Sequence, residues 1–235
     1  MQFSDILQLL TPFDLGAALF IMVVWIGIGA RIENASAKTP SVSVLMKQYR
    51  RDWMKEFVTR QPRIFDASIL GSLRQGTTFF ASSTMIAIGG GLAVMGNADA
   101  VASLAEDFNI SQAPAIVWDI KIAFVLLFVT NSFLKFVWAH RLFGYCSVVM
   151  AAVPNDITDP AALPKAAQAA ELNISAARSF NRGLRAIYFA ITALFWLLGP
   201  VALVLATLFT LSIIWRREFN SHSRTVLMQT QPKAG

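Results

Sequence analysis

At 235 residues, with 55% hydrophobic and 14% charged residues, the chain is too apolar for an ordinary soluble domain, in which charge makes up about a quarter. Its net charge of +6 would suit nucleic acid, but the basic residues cluster beside apolar runs, so the expected partner is an anionic headgroup and not nucleic acid. A single cysteine, Cys146, excludes an intrachain disulfide and a CxxC redox or zinc site.

Long apolar runs bounded by basic segments give the pattern of one compact, all-α, multi-pass helical bundle. The first run, 15–30, follows a segment that holds Asp5 and Asp14 and no Lys or Arg. At ~1.5 Å per residue it reaches about 24 Å, enough to cross a ~30 Å hydrocarbon core with its flanks. Ala35-Ser36-Ala37 imitates a signal-peptidase site. The preceding charges are acidic, however, and Arg31 and Glu33 intervene, so the run reads as a retained first span.

From Arg31 to Gln75 the chain carries nine Lys/Arg against four Asp/Glu. Pro40-Ser41 reads as a helix start with Ser41 as the N-cap. Val42, Leu45, Met46, Tyr49, Trp53 and Phe57 then fall on one face, with Lys47, Gln48, Arg51 and Lys55 opposite. Such a basic amphipathic helix lies in a headgroup plane or packs on the bundle's own cytoplasmic end, and the pattern leaves both open. Arg50, Arg51 and Lys55 are its candidate lipid or phosphate contacts. Pro62 closes the helix, and Ile64, Phe65, Ile69 and Leu73 predict a second short helix leading into the next span.

Residues 76–96 are uncharged and rich in small and hydroxyl side chains. Ser83, Ala87 and Gly91 recur every four residues and form the expected helix-packing face, since small residues let membrane helices approach closely. The glycine triplet 89–91 is also a place where the helix could loosen. The following segment, 97–119, holds Asp99, Glu106, Asp107 and Asp119 and no Lys or Arg. Against the basic stretch before it, this contrast puts the acidic loop outside and residues 31–75 in the cytoplasm.

The third predicted span, 118–141, has Trp118 and Trp138 near its ends, where interfacial tryptophans are enriched. Lys121 and Lys135 are placed to snorkel toward opposite interfaces. Asn131 sits near mid-membrane, at a depth matching Ser83 and Thr84 on the antiparallel second span, so a hydrogen-bonded contact is expected there. Lys121, Asn131 and Lys135 are also the candidate lining of a solute path. Residues 143–153 are too short to span anew and extend the helix or lie at the interface. Pro154, Pro160 and Pro164 punctuate a cytoplasmic loop. Residues 165–184 then read as a helix with Arg178, Arg182 and Arg185 along one side, positioned for lipid phosphates.

The last run, 186–215, is thirty residues without a charge, interrupted only by Gly199-Pro200. As one helix it would be ~45 Å long, well beyond the ~30 Å core. It is therefore one long kinked helix or two short spans turning at Gly199-Pro200. A single helix would leave Arg216, Arg217, Arg224 and Lys233 outside, so the positive-inside rule favours the hairpin. Each arm, at about 22 Å, then needs flanking residues or local thinning of the bilayer.

Several stretches carry a family resemblance: LMKQYRRDWM (45–54), RIFDASILGSLRQGTTFFASSTM (63–85), KFVWAHRLFGYCSVVMAAVP (135–154), SFNRGLRAIYFAITALFWLLGP (179–200) and RREFNSH (216–222). In this order, and over roughly residues 15 to 220, the chain resembles the bacterial membrane-protein family termed domain of unknown function 599. The resemblance implies an integral inner-membrane protein and carries over no catalytic or binding residue.

Motifs for GxSxG hydrolases, Walker nucleotide sites and HExxH metalloenzymes are missing from the sequence. His140 and His222 stand beside arginines at cytoplasmic span ends. A haem held between them is geometrically conceivable, but no CxxCH motif supports it. No catalytic residue, metal or cofactor is therefore expected. The predicted spans hold no acid away from their ends, which weakens a cation-carrier reading.

The expected architecture is a single membrane domain, 1–235, of about five spans: 14–31, 76–97, 118–141, 184–198 and 201–215. Residues 32–75, 142–183 and 216–235 are expected in the cytoplasm, and 1–13 and 98–117 in the periplasm. The expected function is a non-catalytic accessory or scaffold component of the bacterial inner membrane, binding anionic lipid and another membrane protein or a second copy of itself. The alternative is a channel or transporter for a small anionic or polar solute.

Overall fold

The computed structural model describes residues 10–97 and 113–229. Asp5, the acidic segment with Asp99, Glu106 and Asp107, and Lys233 fall outside them. The regular structure of the described residues is helical: α1 (Pro12–Glu33), α2 (Val42–Phe57), α3 (Ile64–Met95), α4 (Ala115–Ala151), α5 (Ala162–Leu194), a 3-10 turn (Phe195–Leu198), α6 (Pro200–Phe219) and α7 (His222–Gln229). Among the described residues four stretches are long and apolar enough to cross a membrane: Pro12–Glu33, Ile64–Met95, Ala115–Ala151 and Pro200–Gln229. The expected span at 184–198 is not among them, because its helix ends at Leu194 and finishes as a 3-10 turn.

The helices run longer than the apolar runs that predicted them. The short helix expected after Pro62 and the second span form one helix of 32 residues, helical straight through the glycine triplet. Residues 143–151 extend α4, and the 165–184 helix continues unbroken into the last apolar run as α5. Pro164, expected in the loop, falls in the first turn of α5, where its missing N–H costs no ladder bond; no other proline enters these three helices, and continuing an intact hydrogen-bond ladder is cheaper than breaking it where the side chains change polarity.

The helix starts follow local chemistry. Thr11 and Asp14 form a reciprocal capping box at α1: the Asp14 amide donates to Thr11 Oγ1 (3.1 Å) and the Thr11 amide to Asp14 Oδ2 (3.2 Å). Pro12 takes the first helical position, where its missing N–H costs nothing. Ser41 caps α2 as expected, accepting from the Val44 amide (3.1 Å) while its hydroxyl donates to the Ile32 carbonyl (2.8 Å). At the far end of the chain Gly199 has φ 118° and ψ 167°, a conformation essentially reserved for glycine. Across this break Thr192 Oγ1 lies 2.7 Å from Thr210 Oγ1.

Contacts group the chain into two compact units. The first draws on Met1–Gly29, Ser83–Ser132 and Leu184–Ile214, the second on Ala30–Ser82, Phe133–Gly183 and Trp215–Gly235. The first unit is organised around stacked and edge-on aromatics: Phe128, fully buried, meets Trp25 (5.0 Å between centroids), Phe124 (5.3 Å) and Phe189 (6.4 Å).

The second unit packs Met54, Phe57 and Val58 of the α2 region against Leu70, Phe143, Cys146 and Met150. Ala162, Ala166, Ala169 and Ala170 join that core, and their size lets α5 come close. The apolar face of α2 therefore packs on its own unit, and Tyr49 Oη donates to the Leu227 carbonyl of α7 (3.2 Å). Toward its C-terminal end the buried side turns onto Met54 and carries Arg50 half inside with it, both off the predicted apolar face.

Candidate functional site

Among the described residues of the first unit the buried charged side chains are Asp14, Lys121 and Arg185, and each calls for a partner. The carboxylate of Asp14 is buried at the start of α1. Besides its capping partner it accepts a hydrogen bond from Nε1 of the fully packed Trp196 (2.8 Å). Lys121, expected to snorkel, is instead buried, with Nζ 5.1 Å from the Trp118 ring centre and in the field of Asp14. Cation–π and carboxylate attraction compensate a lysine that gives up bulk water. Helical spacing puts Lys121, Phe128 and Lys135 on one side of α4 with Asn131 beside them. Asn131 and Lys135 are half-buried, and fully buried Phe128 occupies the level between Lys121 and Asn131.

The small-residue face of α3 lines a groove of about 480 Å³, with Ser83, Thr84, Ala87 and Gly91 on one side and Ile122, Leu126 and Val129 of α4 on the other. A Cβ at Gly91 would lie 2.5 Å from Leu126 Cδ2, so glycine is what allows the two helices this approach. Ser83 and Ala87 are exposed, and Asn131 is not among the lining residues.

The arginines predicted to meet phosphate take different roles. Arg50 donates to Asn173 Oδ1, and burial pulls its pKa below the usual arginine value. Asn173 Nδ2 in turn reaches Cys146 Sγ (3.8 Å), whose thiol donates to the Ala169 carbonyl (3.3 Å). Arg51 is exposed and pairs with Glu171 (2.8 Å), and Lys55 is exposed. Arg178 is exposed, and Arg182 makes a two-point ion pair with Glu33 that raises its pKa through the hydrogen bond. Arg185 is buried, with Nε 3.9 Å from the place a Cβ would take at Gly29. The predicted arginine row is thus not a single exposed stripe.

Among the described residues no group of three or more His, Cys, Asp or Glu side chains comes together as a metal site. His140 Nδ1 sits 3.2 Å from Thr77 Oγ1 and 3.3 Å from Thr78 Oγ1. Over residues 17–223 the chain matches the model of the family described as "Protein of unknown function, DUF599". The chain belongs to that family. No curated protein and no solved structure matches it.

In this DUF599 member two groups carry chemistry that the linear pattern did not single out. One is the Asp14–Trp196 clasp, whose only linear signal is the Thr11-Pro12-Phe13-Asp14 capping box. The other is a cavity of about 390 Å³ in the second unit, which holds Arg63 and Arg74 over an apolar floor. Its signal is the spacing 63, 67, 70, 71, 74, which places one charged and small-residue strip along α3.

Proposed function

We propose that this chain is a non-catalytic, multi-pass component of the bacterial inner membrane that holds its basic unit against anionic lipid headgroups on the cytoplasmic side. A second membrane protein, or a second copy, would take the small-residue face of α3. The observation that carries this reading is the division of charge. The sequence stretches of the second unit hold eighteen Lys/Arg against eight Asp/Glu, net +10, whereas those of the first hold two against six, net −4. Basic segments stay in the cytoplasm and each basic residue near an anionic leaflet contributes about 1 kcal/mol of attraction. Five crossings, with the last two turning at Gly199-Pro200 and the N-terminus outside, keep every basic segment on that side.

The reading predicts that the protein, extracted in mild detergent, carries phosphatidylglycerol or cardiolipin in excess over zwitterionic lipid, measured by mass spectrometry of the retained lipids. Co-purification as a defined complex or oligomer would accompany it. A lone particle without lipid preference that passes small anions across liposomes would replace this proposal with a solute channel.

A further inference from the structure

The cavity of the second unit lies among three elements. Arg63 stands immediately before α3, Ala67, Leu70, Gly71 and Arg74 come from its start, Met150 from the end of α4 and Phe57 from α2. Its volume of about 390 Å³ falls in the ~300–1,000 Å³ range of ligand pockets. Arg63 is fixed rather than mobile. Its Nη1 donates to the Val153 carbonyl (2.8 Å), its Nη2 to the Pro154 (2.8 Å) and Val58 (3.3 Å) carbonyls, and its guanidinium stacks 4.4 Å from the Phe57 ring centre. Those partners are all neutral. The buried Nε proton of Arg63 has no partner, and among the described residues neither Arg63 nor Arg74 enters an ion pair. Asp66, one turn along from Arg63, is not among the residues lining the cavity, and its Oδ1 takes Arg60 and Trp53 Nε1 (2.6 Å).

Two guanidiniums without a counter-charge facing one cavity leave a positive site whose natural complement is an oxyanion. Below them Phe57, Leu70 and Met150 supply an apolar floor, and Ala67 and Gly71 leave room. Nothing lies within 4 Å of a Cβ at Gly71. A free inorganic ion would waste that floor, whereas a phosphate carried on an apolar body uses both halves.

We infer that the cavity between the start of α3 and the end of α4 is a binding site for a phosphate-headed amphiphile, with Arg63 and Arg74 on the phosphate and Phe57, Leu70 and Met150 under the carbon chain. The phosphate can come from a membrane lipid or from a soluble phosphate ester. The inference deepens the anionic-lipid reading and rests on the basic unit lying at the headgroup level.

The test is titration of the full-length detergent-solubilised protein, followed by native mass spectrometry, with dioleoyl phosphatidylglycerol, dioleoyl phosphatidylcholine and oleate, alone and with millimolar inorganic phosphate. One saturable phosphatidylglycerol site is expected, about fivefold or more tighter than phosphatidylcholine. Arg74→Gln should weaken it about fivefold, and Gly71→Leu, which fills the space without removing charge, should abolish it. Both positions are exposed, so an unchanged thermal transition will show that the variants fold. Arg216→Gln, exposed at the end of α6 and outside the cavity lining, should leave affinity within about twofold.

Competition by inorganic phosphate would assign the site to a soluble phosphate ester, and its absence to a lipid. Unchanged phosphatidylglycerol binding in both pocket variants would overturn the pocket while leaving the lipid reading intact. Binding of inorganic phosphate that depends on Arg74, without phosphatidylglycerol binding, would keep the pocket and overturn the lipid reading. Oleate binding as tightly as phosphatidylglycerol would overturn the phosphate assignment.

Discussion

Arg50 shows how one residue changes its meaning between sequence and structure. In the linear pattern it belongs with Arg51 and Lys55 on a basic helix. In the fold its guanidinium is turned to Asn173, and a polar thread runs on to Cys146 inside the second unit. Removing the Asn173 amide leaves a half-buried charge without its acceptor, which costs roughly 1–3 kcal/mol. Asn173→Ala is therefore expected to lower the unfolding midpoint in detergent. Asn173→Asp should recover part of that loss, because a carboxylate offsets the burial that lowers the pKa of Arg50. Cys146 gives a second readout. Fully buried and hydrogen-bonded in the native protein, it should resist maleimide until the chain unfolds and label several-fold faster in Asn173→Ala. The linear pattern shows Cys146 only as a lone cysteine without a CxxC partner. It gave no hint of Asn173, since a single asparagine within a helix has no periodic partner to betray it.

At the level of the helices the sequence was legible where chemistry is local. The Ser41 cap, the amphipathic pattern of α2 and the small-residue strip of α3 all rest on neighbours within a turn or two. Helix ends were less legible, because hydropathy reports where side chains change polarity and not where the backbone ladder stops.

Glycine separates the two kinds of information. Three consecutive glycines at 89–91 draw the eye, yet only Gly91 of the three has a close neighbour. The isolated Gly183 is the less forgiving position: a Cβ there would sit 2.7 Å from Phe136 Cε1, against a packed ring and not the flexible end of a leucine. Phe136 is fully buried and stacked on Phe80 (5.2 Å between centroids), so its ring has nowhere to go. Gly183→Ala should destabilise by about 1–3 kcal/mol through overpacking. Gly71→Ala, in a helix with open space at the Cβ, should be neutral or stabilising by up to about 1 kcal/mol. Thermal unfolding of the two variants side by side checks the pair, and the reverse order would contradict the packing described around Phe136.

For the whole chain the number of crossings reduces to parity. The segment after α1 and the end of α6 belong to the same unit. Glu218 accepts hydrogen bonds from the Ser43 amide (3.0 Å) and hydroxyl (2.9 Å), and Arg224 Nε donates to the Pro40 carbonyl (2.8 Å). Two segments that touch outside the hydrocarbon core lie on one side of it, so the chain between them crosses an even number of times. On the proposed topology α3 and α4 account for two crossings, which leaves two or none for residues 186–215. A stretch of thirty uncharged residues favours twice. The Thr192–Thr210 contact supports the turn, since a straight helix would separate those residues by ~27 Å. On the proposed topology the basic residues after Trp215 share the cytoplasm with those after Ala30. A fluorescent-protein fusion at the C-terminus should accordingly be bright, and an alkaline-phosphatase fusion at the same point inactive. Phosphatase activity there would mean that the last run crosses once. The contacts of Glu218 and Arg224 with the segment after α1 would then have to be absent from the membrane-embedded protein.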